Sequence, residues 1–393
     1  MSNPRNGGLL IISRTFPPFT VGSAILMANL FNSYKADMQA LACWQYEAKQ
    51  DPAFKSPCET HYLKFPLPIM QRVYDRLQHR FIGWNKIYIK RKMLRIKPSC
   101  VFLVYPSAPF LVAAYQVCKE LRIPYVLQMH DLWEENYEQK HPIGILSKKW
   151  EAKIFRDAEH RFSMTSIQQV HYQNKYNLEV EILPHTIGPE RIKEVQNRLK
   201  ANASKNQSSK CPTIVYTGNI SHKMNLDAMQ QFVAMVDSLP TNYRVKMFVS
   251  FNVQQCKDLN IYNSRIDYDW LPIEEVQDQM RSADVLFLPL SFKNAAMDEV
   301  KTVYATKTLD YLVSGTPILV FSPADSFHTV SAKADGWGLV VDHDSPEAIA
   351  AGIHKLVEDK NLAQSIVGAA VKEAERRSAS KYADQLLEIV NHI

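Results

Sequence analysis

Glycine is scarce in this chain, with 12 in 393 residues, under half the usual share of about 7%. The scarcity removes the glycine-rich phosphate loops. No Gly-x-x-x-x-Gly-Lys-Ser/Thr occurs, which excludes the P-loop route to phosphoryl transfer. Gly-x-Gly-x-x-Gly is also missing, because only Gly336 and Gly338 show its first spacing and no glycine follows correctly. There is no His-Glu-x-x-His and no Cys-x-x-Cys, so the common zinc and dithiol motifs are gone as well. Six cysteines (Cys43, Cys58, Cys100, Cys118, Cys211, Cys256) stand far apart. Such spacing suits reduced structural thiols in a cytoplasmic protein. Charge of one sign is also lacking, since the net excess is only +6, too mild to indicate a nucleic-acid binder.

Long apolar runs are absent too. Leu9 to Ser13 is too short for the core of a signal peptide. Cys100 to Cys118 is uncharged, but Pro106, Ser107 and Pro109 break it into strand, turn and helix. The expected location is therefore cytoplasmic, with peripheral membrane attachment left open. What remains is 46% hydrophobic and 22% charged, a globular composition long enough for two domains.

Short apolar runs alternate with amphipathic stretches from end to end, the pattern of βαβ units around parallel sheets. Strands are expected at 9–13, 38–43, 101–105, 124–129 and 160–164, then at 213–217, 244–250, 265–268, 284–289, 317–321 and 338–341. The clearest helices fall at 23–34, 111–121, 147–157, 225–238, 273–282, 304–313 and 346–358. Lys, Asn, Ser and Gln dominate 191–210, which reads as a solvated linker or a helix flanking one. The expectation is an α/β protein of two Rossmann-like, doubly wound parallel-sheet domains facing a cleft. Their bounds are 1–190 and 211–375, and a closing helix over 376–393 packs back towards the first. Ligands of such sheets bind beyond the carboxyl ends of the strands.

The first such loop, Ser13 to Ala24, ends with Gly22, where backbone can approach a ligand, and Ser23, a good N-cap. An ordinary turn is the alternative. Phe16-Pro17-Pro18 before this glycine resembles the opening of family 4 glycosyltransferases of the GT-B fold. Ile214 to Asn219 is similar to the strand–glycine opening of their donor domain. Ser282 to Pro289 resembles their Ala-Asp-Val strand, and Thr306 to Ile318 their nucleotide-sugar helix with its Gly-x-Pro turn.

The resemblance implies a retaining, metal-independent transfer of a sugar from a nucleotide diphosphate sugar to an acceptor hydroxyl, in glycan or surface-polysaccharide synthesis. No cofactor is implied, since the nucleotide sugar is a substrate. The family's paired glutamates fall at Thr302 and Asp310, so the first carboxylate is missing and the second is shortened. The implied donor site comprises Gly22, Ser23, Gly218, Asn219, Lys223, Glu299, Lys307 and Asp310. Asp310 would hold the ribose hydroxyls, and Glu299, or Asp298, would replace the lost glutamate. Lys223 and Lys307 would face the diphosphate, Lys307 neutralising charge on the leaving group.

His130, after the strand ending at Met129, occupies the place of a family histidine that contacts the donor sugar. Asp131 would bind the acceptor or serve as its base, and His185 is given no role. The acceptor would be a glycan or lipid-linked. A nucleotide-sugar epimerase and a non-catalytic sugar-nucleotide-binding subunit are the alternatives. Asp267-Tyr268-Asp269 and Asp342-His343-Asp344 have the Asp-x-Asp form of metal-dependent transferases, but short triplets arise by chance, and no metal is expected.

Nine Lys or Arg lie between Arg72 and Lys97 against one acid, Asp75, with Phe81, Trp84, Tyr88 and aliphatics interleaved. This segment is either a surface for anionic lipid or a solvated helix face with core contacts. No nucleic-acid motif accompanies it.

Overall fold

The computed structural model describes all residues except 1–6, 46–47, 49, 52–53, 106–107, 139, 203–210 and 294–296. The chain divides into two compact units, residues 1–188 with 379–393, and 189–378.

In the first unit the strands are β1 (Gly7–Ile12), β2 (Met38–Cys43), β3 (Glu59–Leu63), β4 (Pro98–Tyr105), β5 (Tyr125–Met129), β6 (His160–Ser163) and β7 (Glu181–Ile182). They form one parallel sheet in the order β3-β2-β1-β4-β5-β6-β7. Ile11 of β1 pairs with Ala40 on one side and Phe102 on the other, and all three are fully buried. A parallel sheet covered on both faces needs such continuous apolar strands. The helices here are α1 (Gly22–Phe31), α2 (Pro68–Leu77), α3 (Ile82–Ile96), α4 (Ala108–Leu121), α5 (Pro142–Asp157) and α6 (Ser166–Tyr176).

The second unit opens with α7 (Pro189–Asn202), so the stretch read as a linker holds a helix. The remainder of that stretch, 203–210, lies outside the described residues. Ile192 and Val195 on α7 are buried, and the helix packs against α15 (Lys360–Arg376). Its polar composition hid a narrow apolar stripe. The sheet runs β10-β9-β8-β11-β12-β13, all parallel. Its strands are β8 (Thr213–Thr217), β9 (Arg244–Phe248), β10 (Ile266–Asp269), β11 (Val285–Pro289), β12 (Ile318–Phe321) and β13 (Leu339–Val341). Its other helices are α8 (Leu226–Met235), α9 (Val253–Asp258), α10 (Ile273–Ser282), α11 (Met297–Thr302), α12 (Lys307–Leu312), α13 (Phe327–Asp335) and α14 (Pro346–Glu358). The single helix expected over 304–313 is instead α12 alone, with α11 before it and Val303 to Thr306 between them.

The last helix, α16 (Ala379–His392), belongs to the first unit and packs on α1. Ala379 N–H donates to the Ile187 carbonyl at 2.9 Å, and Gln385 donates to Glu181 at 2.8 Å. Among the described residues no helix is long and apolar enough to cross a membrane.

Candidate functional site

In the second unit, β8 ends at Thr217 and the chain turns through Gly218 with φ +110°. That conformation is one L side chains rarely adopt. Gly218 and Asn219 are exposed, so this backbone is open. A Cβ on Gly218 would stand 3.2 Å from Lys307 Cε and 3.3 Å from its Nζ. The glycine therefore serves both the turn and the close approach of a lysine.

Lys307 opens α12, and its Nζ donates to Tyr216 Oη at 2.7 Å, lying 4.1 Å from that ring's centroid. Burial pushes its ammonium down to about 7, since desolvation disfavours the charged form. Tyr216 Oη in turn donates to the Asn219 carbonyl at 2.7 Å and accepts from Asn225 at 3.0 Å. Tyr311 Oη, from α12, accepts from the Thr217 N–H at 3.0 Å. The turn and the helix are thus locked together around one amine with little hydration.

Lys223 is exposed a few residues beyond the turn. Burial raises the Glu299 carboxyl, and Lys223 acts against that rise, so these two share one electrostatic neighbourhood. Thr302 returns its hydroxyl to the Asp298 and Glu299 carbonyls, at 2.9 and 3.3 Å. It closes the last turn of α11 and offers no carboxylate.

Asp310 lies three residues from Lys307 but has other company. Its Oδ1 accepts from Arg191 Nη2 of α7 at 2.7 Å. Arg198, one helical repeat on, donates to the Val313 carbonyl at 3.1 Å and also to the Ser314 carbonyl. The supposed linker therefore supports α12, pairing its carboxylate and capping its carbonyl end.

In the first unit α1 begins at Gly22 with Val21 as its N-cap, and no side chain caps it. Ser23 is thus not the cap that its residue type predicted. It lies inside the first turn, and its hydroxyl bonds Thr15 Oγ1. The Thr15 side chain captured it because the Ser13–Val21 loop folds back over the helix start. His130 is buried after β5, edge-on to His185 with centroids 5.9 Å apart. Burial pushes its imidazole down to about 4, which favours the neutral ring at pH 7. Asp131 is half-buried, and its carbonyl accepts from Tyr172 at 3.3 Å. The loop is buttressed by Glu151, which accepts from the Glu134 N–H at 2.8 Å, from Lys175 at 2.8 Å and from Tyr176 at 2.6 Å.

Sequence reasoning missed Tyr216, Arg191 and Glu151. Tyr216 carried a weak signal, standing two residues before the turn glycine. The other two carried none. In the Asp-x-Asp triplets, Asp269 caps its own neighbour Trp270 at 2.7 Å, while Asp342 and Asp344 pair with Lys333 and Lys293.

No protein-family model matches the chain, and no curated protein matches its sequence. Solved structures do. The chain is similar to sucrose-phosphate synthase from Thermosynechococcus elongatus, with TM-score 0.70 and 14% identity over 98% of this chain and 99% of that one. It is also similar to Anabaena HepE in complex with UDP and glucose, with TM-score 0.66 and 12% identity over 99% and 100%. A third likeness is to a Listeria monocytogenes protein described as a UDP-N-acetylglucosamine 2-epimerase, with TM-score 0.57 and 12% identity over 97% and 94%. At such identities the likeness establishes the fold, which is GT-B.

Proposed function

We propose that this chain is a glycosyltransferase that moves a sugar from a nucleoside diphosphate sugar to an acceptor hydroxyl. The observation that carries this reading is the desolvated Lys307 amine beside the open backbone of Gly218 and Asn219. A diphosphate placed there restores the charge on Lys307, and the amine neutralises the negative charge that grows as the anomeric C–O bond breaks. The nucleoside diphosphate leaves with the bonding electrons, the acceptor oxygen bonds to the anomeric carbon, and its proton passes to solvent. Asp310 takes the ribose hydroxyls, with Arg191 holding its carboxylate in place, and Lys223 adds charge at the diphosphate. Retention of configuration, independence of metal and a glycan or lipid-linked acceptor are further parts of the proposal. UDP is the first nucleotide to test, because the HepE complex holds it.

The epimerase likeness supports a second reading, in which the donor alone is converted. UDP-sugars incubated with and without an acceptor panel, in excess chelator, separate the two. Acceptor-dependent release of UDP with a new glycoside supports transfer, and an epimerised sugar without acceptor supports the rival. Activity lost to chelator and regained with Mn²⁺ would end the metal-independent part.

Asp310→Ala is expected to weaken UDP binding by about 1.5–3 kcal/mol, the range for hydrogen bonds to a charged group, leaving kcat less affected. Arg191→Ala should cost less, because Arg191 acts only through that carboxylate. The double variant should bind no worse than Asp310→Ala alone. Titration calorimetry with UDP measures all three.

A further inference from the structure

Helix α2 is built inside out. Its buried residues are the polar Gln71 and Tyr74, and both are anchored. Gln71 donates to the Trp44 carbonyl at 2.7 Å and accepts from the Phe65 N–H at 3.2 Å, while Tyr74 donates to Asn85 at 2.9 Å. Its apolar Ile69, Met70 and Val73 face solvent, Ile69 being 63% exposed. Ile69 and Val73 are four apart, as are Arg72 and Arg76, so the outer face carries aliphatic and guanidinium groups side by side.

Helix α3, whose inner face is mostly apolar, carries a second apolar stripe on its outer face. Asn85, Ile89 and Met93 point inward at helical spacing. Trp84, Ile87, Arg91 and Leu94 follow the opposite stripe, with Trp84 65% exposed. These aliphatic and aromatic side chains have a buried face available to their helices, yet they lie outside. A soluble surface rarely carries so many together without a partner.

The charge around them selects that partner. Lys86 and Lys90 are engaged by Glu120 of α4, and Lys92 donates to His61 at 3.3 Å. Arg76, Arg91 and Arg95 are exposed on these helices, with Arg80 and Lys97 exposed beside them. Asp75, the one acid within the segment 72–97, lies 3.8 Å from Arg14. A second copy of the chain would bring arginine against arginine across a two-fold axis. Nucleic acid would satisfy the arginines but leave Ile69, Val73, Ile87 and Leu94 with nothing apolar to enter. A bilayer with anionic headgroups meets both needs at once: phosphates for the guanidinium groups, and an acyl boundary for the apolar side chains and Trp84.

We propose that the outer stripe of α2 and α3 docks the protein on the face of an anionic phospholipid bilayer. The inference stands apart from the nucleotide-sugar reading and survives its failure.

The test is sedimentation of the full chain with phosphatidylcholine vesicles containing one quarter phosphatidylglycerol, against vesicles of phosphatidylcholine alone. The protein should pellet with the first and not the second, and detach as salt rises, since screening shortens the reach of surface charge. Arg91→Glu with Arg95→Glu should lower the partition coefficient on the order of tenfold or more. Trp84→Ser with Ile87→Ser, on the same exposed face, should do likewise while leaving the melting curve unchanged. Equal pelleting with both vesicles, or with neither, overturns the proposal. So does an apolar variant that binds as well as the wild type. Dimerisation lost in that variant, without vesicle binding, would assign the stripe to a second copy and overturn it too. Tryptophan quenching by brominated lipid that disappears in Trp84→Phe assigns insertion to this one of the six tryptophans, and quenching that persists unchanged in that variant counts against it.

Discussion

Lys307→Met is expected to give a folded protein whose kcat falls on the order of 10²–10³-fold, the usual loss for one charge-stabilising donor. The amine is held against Tyr216 at 2.7 Å, directly beside the Gly218 turn. Methionine keeps the volume and removes the charge. Tyr216 Oη retains Asn225 as donor and the Asn219 carbonyl as acceptor, so no buried hydroxyl is orphaned. The same change should raise the melting temperature. A lysine pushed down to about 7 in the fold titrates at about 10.4 when unfolded. Its folded pKa is the lower one, so the unfolded state binds the extra proton. Stability is fully present above the unfolded value and is lost as pH falls towards 7. The advantage of Lys307→Met should thus widen from pH 10 down to pH 7. Diphosphate binding has the opposite sense, because the bound anion favours the charged amine. Above pH 7 binding must take up a proton, and UDP affinity should fall up to about tenfold per pH unit. The Met variant should lose this dependence. Calorimetry in buffers of different ionisation enthalpy reads the proton directly. Unchanged kinetics in a folded Met variant would remove Lys307 from the site.

Arg377→Ala is expected to cause the largest loss of stability. Arg377 Nε donates to Glu373 Oε1 at 2.6 Å, and both side chains are only 6% exposed. Its guanidinium lies 3.9 Å from the centroid of the Tyr304 ring, which is fully buried and stacked on His328. Removing one partner strands the other charge in the interior, at about 3–5 kcal/mol. Arg376, which reaches the other oxygen of Glu373 at 3.3 Å, brings the loss towards about 3 kcal/mol. For a unit of this size that is a fall of roughly 6–12 °C in a thermal melt. Tyr304 sits in the segment between α11 and α12 that leads into Lys307. The variant should therefore lose UDP affinity as well as heat stability, whereas Glu373→Gln, which keeps an acceptor for Arg377, should lose less of each. A melt within 2 °C of the wild type would show that the pair is not what holds that segment.

The parts of the fold that escaped the sequence reading share physical features. β3 spells Glu59-Thr60-His61-Tyr62-Leu63 and lies at the sheet edge, with no residue buried. An edge strand has no need of the apolar run that betrays a central one. β7 is two residues long and pairs only with β6. α7 buries too few side chains to stand out against its lysines and asparagines. The segment 304–313 looked like one helix because hydrophobic spacing continues through it. The break at Val303 to Thr306 is sustained by packing, with Tyr304 drawn under Arg377 and the Ala305 N–H bonded to His328 at 3.3 Å.

By itself the sequence determined whatever depends on neighbours in the chain. The alternation of apolar runs and amphipathic stretches dictates two parallel sheets with helices between their strands. Turn glycines are placed where φ must be positive, at Gly218 and again at Gly315 with φ +78°. Three-residue spacing puts Lys307 and Asp310 on one short helix. Tertiary structure alone decided what those residues meet. Lys307 finds Tyr216 from 91 residues away, and Asp310 finds Arg191 from 119 away. A side chain's charge state, and whether it is free for a ligand, follow from the dielectric and the partners around it. Those surroundings are assembled only when distant segments pack, which is why an unremarkable Lys-Thr-Leu-Asp becomes a desolvated amine and a paired carboxylate.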